Sequence, residues 1–228
     1  MKRRRQNQTA TAIRPLPAFQ DLKKEIGYAA ESGGTIHIAL GNGSLVGERA
    51  VVSLAALQVI QELADTAVRY NAPPIITVGD ATLLPIAQDI MRRAYERNGL
   101  ISRYNPQRVR FIAPTFVSYA AGAATLFANE TITANVMVGD FGQEVALIGA
   151  AGARHRVPQL AAAVAPEALG ALYPLTERLA MGEELFAAGA QINPRRRYAL
   201  SLIAEDWLRV ILVALMLLGA LLALLGIY

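Results

Sequence analysis

The sequence predicts an α/β fold in which a mostly parallel sheet of about six strands is flanked by helices and followed by one C-terminal transmembrane helix. Short apolar runs alternate with longer amphipathic stretches between residues 35 and 192, and glycine or proline separates many of them. The final residues, 210–228, carry no charged or amide side chain. Strands that alternate with helices join by right-handed crossovers, which produce a parallel sheet covered on both faces.

Two segments precede the predicted sheet. Residues 1–16 begin with Lys2 and three consecutive arginines among polar side chains. They are predicted to form a basic, disordered tail that is either solvated or in contact with anionic lipid. Residues 17–34 are predicted to form an amphipathic helix, because Pro17 suits a first helical turn and apolar residues then recur at helical spacing.

Residues 35–192 are predicted to form one α/β domain without an internal boundary. The predicted strands are Thr35–Leu40, Ile75–Val78, Val109–Ala113, Asn135–Val138, Gln159–Val164 and Arg178–Met181. The predicted helices are Glu48–Tyr70, Thr82–Asn98, Phe116–Asn129, Gln143–Ala153, Pro166–Tyr173 and Glu183–Gln191.

A membrane anchor is predicted at the end of the chain. Residues 193–209 form a juxtamembrane segment, and residues 210–228 form a helix that rises ~27 Å, close to the hydrocarbon thickness of a bilayer. Arg195–Arg197 and Arg209 precede the apolar run, and no basic residue follows it. The positive-inside rule then predicts a single-pass cell-membrane protein with a cytoplasmic N-terminal domain and its C-terminus on the opposite side. The alternative is a buried core helix, which at this length normally shows a polar edge.

The composition restricts the kinds of site that the domain can contain. Cysteine is absent, which excludes disulfides, thiolate metal sites and cysteine nucleophiles. Only two histidines occur, so no metal site is predicted, and His37, on a predicted strand, is interpreted as a structural residue. The arginines between residues 92 and 110 are interpreted as a solvated or lipid-facing surface, and no nucleic-acid partner is predicted.

A glycine-rich turn follows the first predicted strand and precedes a helix. Glycines in this context permit a tight turn and let backbone N–H groups face an anion at the helix N-terminus. Gly41, Asn42, Gly43 and Ser44 are therefore candidate ligand-binding residues, with a nucleotide as the candidate cofactor. The spacing is G-x-G-x-x-x-G, which departs from the dinucleotide-binding pattern, so a purely structural turn is the alternative.

Three predicted strands end in glycine followed by an acidic residue. The acids are Asp80, Asp140 and Glu183, and each precedes a predicted helix. The carboxyl ends of parallel strands meet at one edge, where ligands of open α/β sheets bind, so the three acids are candidate ligand-binding residues. Helix capping is the favoured interpretation, because an acid at an N-cap contributes ~1 kcal/mol.

Five stretches carry a resemblance to a known family: HIALGNGSL (His37–Leu45), VGDATLLPIAQDIMRRAY (Val78–Tyr95), TANVMVGDFGQEVALI (Thr133–Ile148), MGEELFAAGA (Met181–Ala190) and EDWLR (Glu205–Arg209). They resemble a prokaryotic membrane-associated domain-of-unknown-function family, over most of the chain from residue 17 onward. The resemblance implies a Rossmann-like domain beside a membrane helix, and it assigns no activity and no functional residues. Members often carry an additional N-terminal span, which this sequence does not show.

Three functional hypotheses follow from these patterns. The leading one is a membrane-anchored, non-catalytic module that binds a ligand or a partner, since no complete nucleophile, metal or cofactor pattern is found. The second is a nucleotide-dependent enzyme or sensor that uses the Gly41–Gly47 loop with Asp80 and Asp140. The third is an assembly subunit of a membrane complex or homo-oligomer, because Gly219 and Ala223 have the spacing that permits close helix pairing.

Overall fold

The computed structural model describes residues 17–19, 21–176, 178–192, 211–213, 215–217 and 219. Contacts divide the chain into one unit, Pro15–Ile192, and a second unit that combines residues 1–14 with residues 193–228. The predicted tail, the juxtamembrane segment and most of the predicted membrane helix therefore lie outside the described residues.

The larger unit alternates strands and helices as predicted. Its strands are β1 (Thr35–Gly41), β2 (Ile75–Val78), β3 (Val109–Phe111), β4 (Ile132–Asp140), β5 (Gln159–Ala163) and β6 (Arg178–Met181). Its helices are α1 (Leu22–Ser32), α2 (Ala50–Arg69), α3 (Leu83–Arg97), α4 (Phe116–Ala124), α5 (Leu126–Asn129), α6 (Val145–Arg154), α7 (Pro166–Leu172) and α8 (Glu184–Ile192). Short 3-10 turns cover Pro17–Phe19, Ile101–Arg103 and Pro106–Arg108.

Two predicted helices differ from the structure in their extent. The helix predicted over residues 17–34 is a 3-10 turn followed by α1, which ends at Ser32 and is capped by Gly33 in the left-handed conformation (φ +68°). The helix predicted over residues 116–129 is divided at Thr125 into α4 and α5. The Thr125 hydroxyl donates to the carbonyl oxygen of Gly122 at 2.7 Å, a local bond of the kind that competes with the regular helical pattern.

All six described strands are parallel and lie in the order β3-β2-β1-β4-β5-β6. The order reverses between β1 and β4, since the chain builds outward from β1 on one side and outward from β4 on the other. The register pairs His37 with Asn135 in the middle of these strands, and Gly41 with Asp140 at their carboxyl ends. This is the strand order of the standard doubly wound sheet, which has a crevice at the point of reversal.

Each face of the sheet has its own apolar core. On β1, Ile36, Ile38 and Leu40 point into a core formed with α1, α2, α3 and α8. Ala39 points into the opposite core, formed with α4 to α7. Burial on both faces explains why the strands are nearly continuous apolar runs.

The most apolar long helix among the described residues belongs to the first core. Helix α2 has the length and hydropathy of a membrane span, but 61% of its most apolar window is buried inside the unit, so it is a core helix. Near the end of the chain, residues 211–213 and 215–217 are helical, and their large apolar side chains are more than half exposed. The membrane helix over residues 210–228 stays a prediction.

Candidate ligand site at the carboxyl edge of the sheet

The glycine turn after β1 packs tightly against the end of β4. Gly41 has φ +72°, and a Cβ atom there would overlap the carbonyl oxygen of Asp140. The amide of Asn42 donates to that same oxygen at 3.0 Å, and the amide of Gly79 donates to the carbonyl of Gly41 at 2.8 Å. The backbone of the turn therefore links the ends of β1, β2 and β4, and glycine is required where it touches β4.

Asp140 forms an ion pair across the crevice. Its side chain is 8% exposed, and both of its carboxylate oxygens lie 3.3 Å from Nη1 of Arg49, whose side chain is 58% exposed. Arg49 immediately precedes α2. The amide of Gly142, at the start of the next helical region, donates instead to Glu144 at 2.7 Å. Asp140 is thus held by a cation rather than used as a helix cap.

Asp80 makes local hydrogen bonds to Thr82, the N-cap residue of α3. It accepts hydrogen bonds from the amide of Thr82 at 2.8 Å and from the Thr82 hydroxyl. The Thr82 Oγ1 atom also accepts from the amide of Leu45 at 3.2 Å and lies 3.4 Å from Oγ of Ser44. The cap of α3 is therefore tied to the glycine turn, which brings Asp80 and Ser44 into one network.

Glu183 lies apart from the other candidate residues. It follows β6, which is separated from β4 by β5, so its strand lies about 10 Å along the sheet from that of Asp140. Within the part of the chain that the structure describes, no three acidic or histidine side chains are grouped to hold a metal ion. The structure thus gathers the glycine turn, Asp80 and Asp140 around β1 and leaves Glu183 at the outer end.

Two oxygen atoms beside the turn make no hydrogen bond among the described residues. Oγ of Ser53, a residue that is 1% exposed, lies where a Cβ atom on Gly43 would overlap it. Oδ1 of Asn42 is also buried without a partner, although the amide nitrogen of the same side chain donates to the carbonyls of Gly79 and Pro114, each at 3.3 Å. Both are free acceptors next to the crevice.

The sequence patterns did not identify Arg49 and Ser53 as site residues. Neither belongs to a recognisable motif, and Arg49 is 91 positions from the carboxylate that it contacts. The available signal was their place at the start of the helix after a glycine turn, where side chains of doubly wound sheets line the ligand crevice.

A buried chain of hydrogen bonds connects the turn to side chains in the middle of the sheet. The amide of Gly41 donates to the Tyr119 hydroxyl at 3.2 Å, and that hydroxyl lies 2.9 Å from Oγ1 of Thr77. Thr77 in turn contacts Nε2 of His37 at 2.9 Å. Burial raises the pKa of Tyr119 to about 12 and lowers the pKa of His37 to about 4, so both groups are neutral near pH 7.

The chain of hydrogen bonds continues across the sheet towards the amino ends of the strands. Nδ1 of His37 contacts Oδ1 of Asn135 at 2.9 Å, and the Asn135 amide nitrogen donates to Gln159 at 2.9 Å. Because Oδ1 of Asn135 is an acceptor only, His37 carries its proton on Nδ1 and accepts from Thr77 at Nε2. This arrangement satisfies both ring nitrogens and agrees with the structural role expected for His37.

Exposed apolar side chains surround the crevice. Those at the starts of helices or in the loops before them are Val46, Val51, Leu54, Phe116, Val117 and Leu147. Two open cavities of about 520 and 230 Å³ lie elsewhere, beside β6, with Thr176 lining both. The smaller cavity is also lined by an ion-paired residue, Arg178, which contacts Glu25. The crevice is the better candidate site because its ion pair and its unpartnered oxygen atoms adjoin the glycine turn where the strand order reverses.

Comparison with known proteins identifies the family of the chain. A family model described as a domain of unknown function, DUF6754, matches residues 1–228. No curated protein and no solved structure matches the chain. The chain belongs to the DUF6754 family, whose description states no activity.

Proposed function

We propose that this member of the DUF6754 family is a membrane-anchored, non-catalytic module that binds a small polar ligand on the cytoplasmic side. The observation that carries the proposal is the Arg49–Asp140 pair, which lies with the glycine turn where the strand order reverses. Ligands of doubly wound sheets bind in this crevice, outside the carboxyl ends of the strands.

The groups in the crevice favour a ligand that has both an anionic group and hydrogen-bond donors. Arg49 is largely exposed and can turn towards an anion while Asp140 accepts from a hydroxyl or amine of the same molecule. The free Oδ1 of Asn42 offers a second acceptor. Val46 and Val51, both exposed, offer apolar surface to the remainder of the ligand.

The non-catalytic part of the proposal rests on the partners of the nearest hydroxyls. Ser44 contacts Thr82 and the amide of Val46, and the Thr82 hydroxyl donates to Asp80. A serine nucleophile requires an adjacent general base, and the described contacts of Ser44 include none.

A nucleotide is the second candidate, and the position of Asp80 favours it. In dinucleotide-binding sheets, an acid after β2 hydrogen-bonds the ribose. Asp80 follows β2 by two residues and is connected through Thr82 to the glycine turn. Such a Rossmann-like site would place the ribose near Asp80 and a phosphate near the start of α2.

The anchor is a proposal that rests on residues 210–228. Their uninterrupted apolar sequence supports it, as does the exposure of Ile211–Val213 and Leu215–Leu217 in helical conformation. Gly219, where no described atom lies within 4 Å of the missing Cβ, leaves helix pairing in a membrane complex as an alternative. Loss of a self-associated form on Gly219→Leu would support that alternative, and unchanged association would contradict it.

Ligand-dependent stabilisation tests the proposed function. The full chain is purified in mild detergent, and its Tm is measured with panels of nucleotides and of non-nucleotide anionic metabolites. A ligand at a hundredfold excess over its Kd stabilises the folded state by ~2.7 kcal/mol, which raises Tm by about 5–10 °C in a chain of this size.

The two candidates give different results in that experiment. A shift with nucleotides alone supports the second candidate, and a shift with another anionic class supports a different ligand for the same crevice. The shift should disappear in Arg49→Gln and persist in Arg154→Gln, where an exposed arginine outside the crevice is replaced. A shift that Arg49→Gln retains would contradict the site.

A further inference from the structure

We propose that four arginines at the amino edge of the sheet bind the phosphate headgroups of anionic lipids and dock the domain on the membrane. The cluster, called here the arginine cluster, consists of Arg69, Arg97, Arg103 and Arg108. The proposal rests on the membrane anchor proposed above and adds an orientation, with the carboxyl-edge crevice facing away from the bilayer.

Two of the four arginines share one carboxylate. Nη2 of Arg69 lies 3.1 Å from Asp65, and Nε of Arg97 lies 2.9 Å from the other carboxylate oxygen. The Asp65 side chain is 12% exposed, whereas those of Arg69 and Arg97 are 65% and 40% exposed. The carboxylate therefore positions both guanidinium groups from below and leaves them accessible from solvent.

The other two arginines are held by neutral oxygen atoms nearby. Arg103 donates to Oδ1 of Asn71 at 3.5 Å, and Arg108 donates to the carbonyl oxygen of Pro73 at 2.7 Å. Asn71 and Pro73 lie in the segment that connects α2 to β2. Within the described residues, Asp65 is the one carboxylate that pairs with any of the four guanidinium groups, which leaves a local excess of three positive charges.

On the outer face of α3, in the same region, acidic side chains neutralise the charge of the arginines. Arg92 and Arg93 are also exposed, but they pair with Asp89 and Glu96 on their own helix. Those pairs are i,i+3 and i,i+4 contacts that leave little net charge. The arginine cluster lacks such compensation, which is why it can bind an external anion.

The chain leaves the domain at the same edge of the sheet. Helices α2 and α8 each follow a strand, run back towards the amino edge and pack against each other. The nine residues of α8 rise ~13 Å, about the length of the four-residue strand β6, so Ile192 lies at the amino edge. Arg69 ends the neighbouring helix α2.

Under the proposed anchor, residues 193–210, called here the tether, join this edge to the bilayer. They separate Ile192 from Ile211 and span at most about 65 Å when fully extended. The sequence of the tether contains three further arginines, Arg195–Arg197. Anionic headgroups provide the complementary charge within this reach, and each arginine near such a surface strengthens binding about fivefold.

The experiment exploits the absence of cysteine from the chain. Ser102→Cys places a single fluorophore beside Arg103, and Glu48→Cys places one at the carboxyl edge; both positions are exposed. The full chain is reconstituted into phosphatidylcholine vesicles with and without phosphatidylglycerol, and quenching by a headgroup-attached quencher is measured. We expect quenching at Ser102 only with phosphatidylglycerol, relief of that quenching by salt, and no quenching at Glu48.

A matched pair of double variants separates the cluster from net charge. The double variant that combines Arg69→Gln and Arg103→Gln should lower the ratio of docked to undocked protein about thirtyfold. Arg92→Gln with Arg93→Gln removes the same charge from the compensated surface and should leave the ratio unchanged. Equal losses in both, or equal quenching in the two lipid mixtures, would overturn the proposal.

Flotation distinguishes failure of the anchor from failure of the docking surface. Protein that floats with neutral vesicles in high salt but is never quenched at Ser102 retains the anchor and contradicts docking. Protein that floats only with phosphatidylglycerol, through the cluster, supports docking and contradicts the anchor. Release of the Ser102 label from the vesicles by trace amounts of an RNA oligomer would identify nucleic acid as the occupant and overturn the lipid assignment.

Discussion

Acidic side chains gather at the carboxyl edge of the sheet, and several arginines lie at the amino edge. Asp80, Asp140 and Glu144 lie at the carboxyl edge, where the helices begin, whereas Arg69 and Arg97 lie at the amino edge, where helices end. In a parallel sheet all crossover helices run the same way, and their dipoles favour acids at their starts and bases at their ends. Charge separation alone is therefore a consequence of the fold.

The residues that depart from this trend are the informative ones. Arg49 is a cation at the acidic edge, and it pairs with a buried carboxylate while more than half of its own side chain is exposed. At the amino edge, the departure is the shortage of acids around the four arginines: among the described residues, Asp65 pairs with Arg69 and Arg97, and no carboxylate pairs with Arg103 or Arg108. Each edge thus has a feature that helix dipoles do not explain, and these two features carry the two proposals.

The largest expected effect concerns the backbone of the carboxyl edge. Gly41→Ala forces an alanine into a left-handed conformation and against the carbonyl of Asp140, so we expect a loss of about 3 kcal/mol or more in unfolding free energy. Gly47 also has positive φ (+92°), but no atom lies within 4 Å of its missing Cβ. Gly47→Ala should cost only ~1 kcal/mol, and equal losses in thermal unfolding would show that the contact with β4 is unimportant.

The next effect concerns the buried chain of hydrogen bonds that runs through His37 between the two edges of the sheet. The folded state lowers the pKa of His37 from 6.5 to about 4, so the unfolded chain takes up the proton first as the pH falls. The contribution of His37 to the free energy of unfolding should be fully present above about pH 6.5. It should decrease by about 3 kcal/mol as the pH falls to 4.

Two histidine variants test this assignment by thermal unfolding across the pH range. His37→Gln should be less stable at pH 7 and should lose this part of the pH dependence, because the titrating group is gone. His155→Gln replaces an exposed histidine and should keep the wild-type profile. A wild-type profile in His37→Gln would show that acidic residues, rather than His37, cause the decrease.

A smaller effect is expected for the cap of α3. Asp80→Ala removes the acceptor for the amide and hydroxyl of Thr82 and should cost ~1 kcal/mol, measured as a fall in Tm. Asp80→Asn keeps an acceptor and should recover most of the loss. If Asp80→Asn nevertheless removes a nucleotide-dependent Tm shift, the carboxylate binds ribose as well as capping the helix.

The last effect on stability is expected where we propose the largest effect on binding. Arg49→Gln removes the cation beside the 8%-exposed carboxylate of Asp140, so it should cost about 1–3 kcal/mol of unfolding free energy, while ligand-dependent stabilisation is lost. A large loss of stability without loss of ligand binding would make Arg49 a structural residue.

The secondary structure was largely predictable because local patterns determine it. The predicted strands at residues 75–78 and 178–181 have the observed bounds, since each is a short run closed by a helix stop or a glycine. β4 is longer than the predicted Asn135–Val138, running over Ile132–Asp140, because the polar Thr133 interrupts the apolar pattern before Asn135, and glycine and aspartate follow Val138. Asn135 is nevertheless buried, since His37 and Gln159 satisfy its side chain.

By itself, the sequence determined the α/β class, the glycine turn and the apolar C-terminal run, since these depend on hydrophobic periodicity and on the backbone freedom of neighbouring residues. Only the tertiary structure decided the strand order, and with it that Asp140 meets Arg49 while Glu183 lies two strands away. The same is true of the arginine cluster, whose members come from α2, α3 and two 3-10 turns. The physical reason is that long-range pairing depends on how helices and strands pack together, which local residue patterns do not specify.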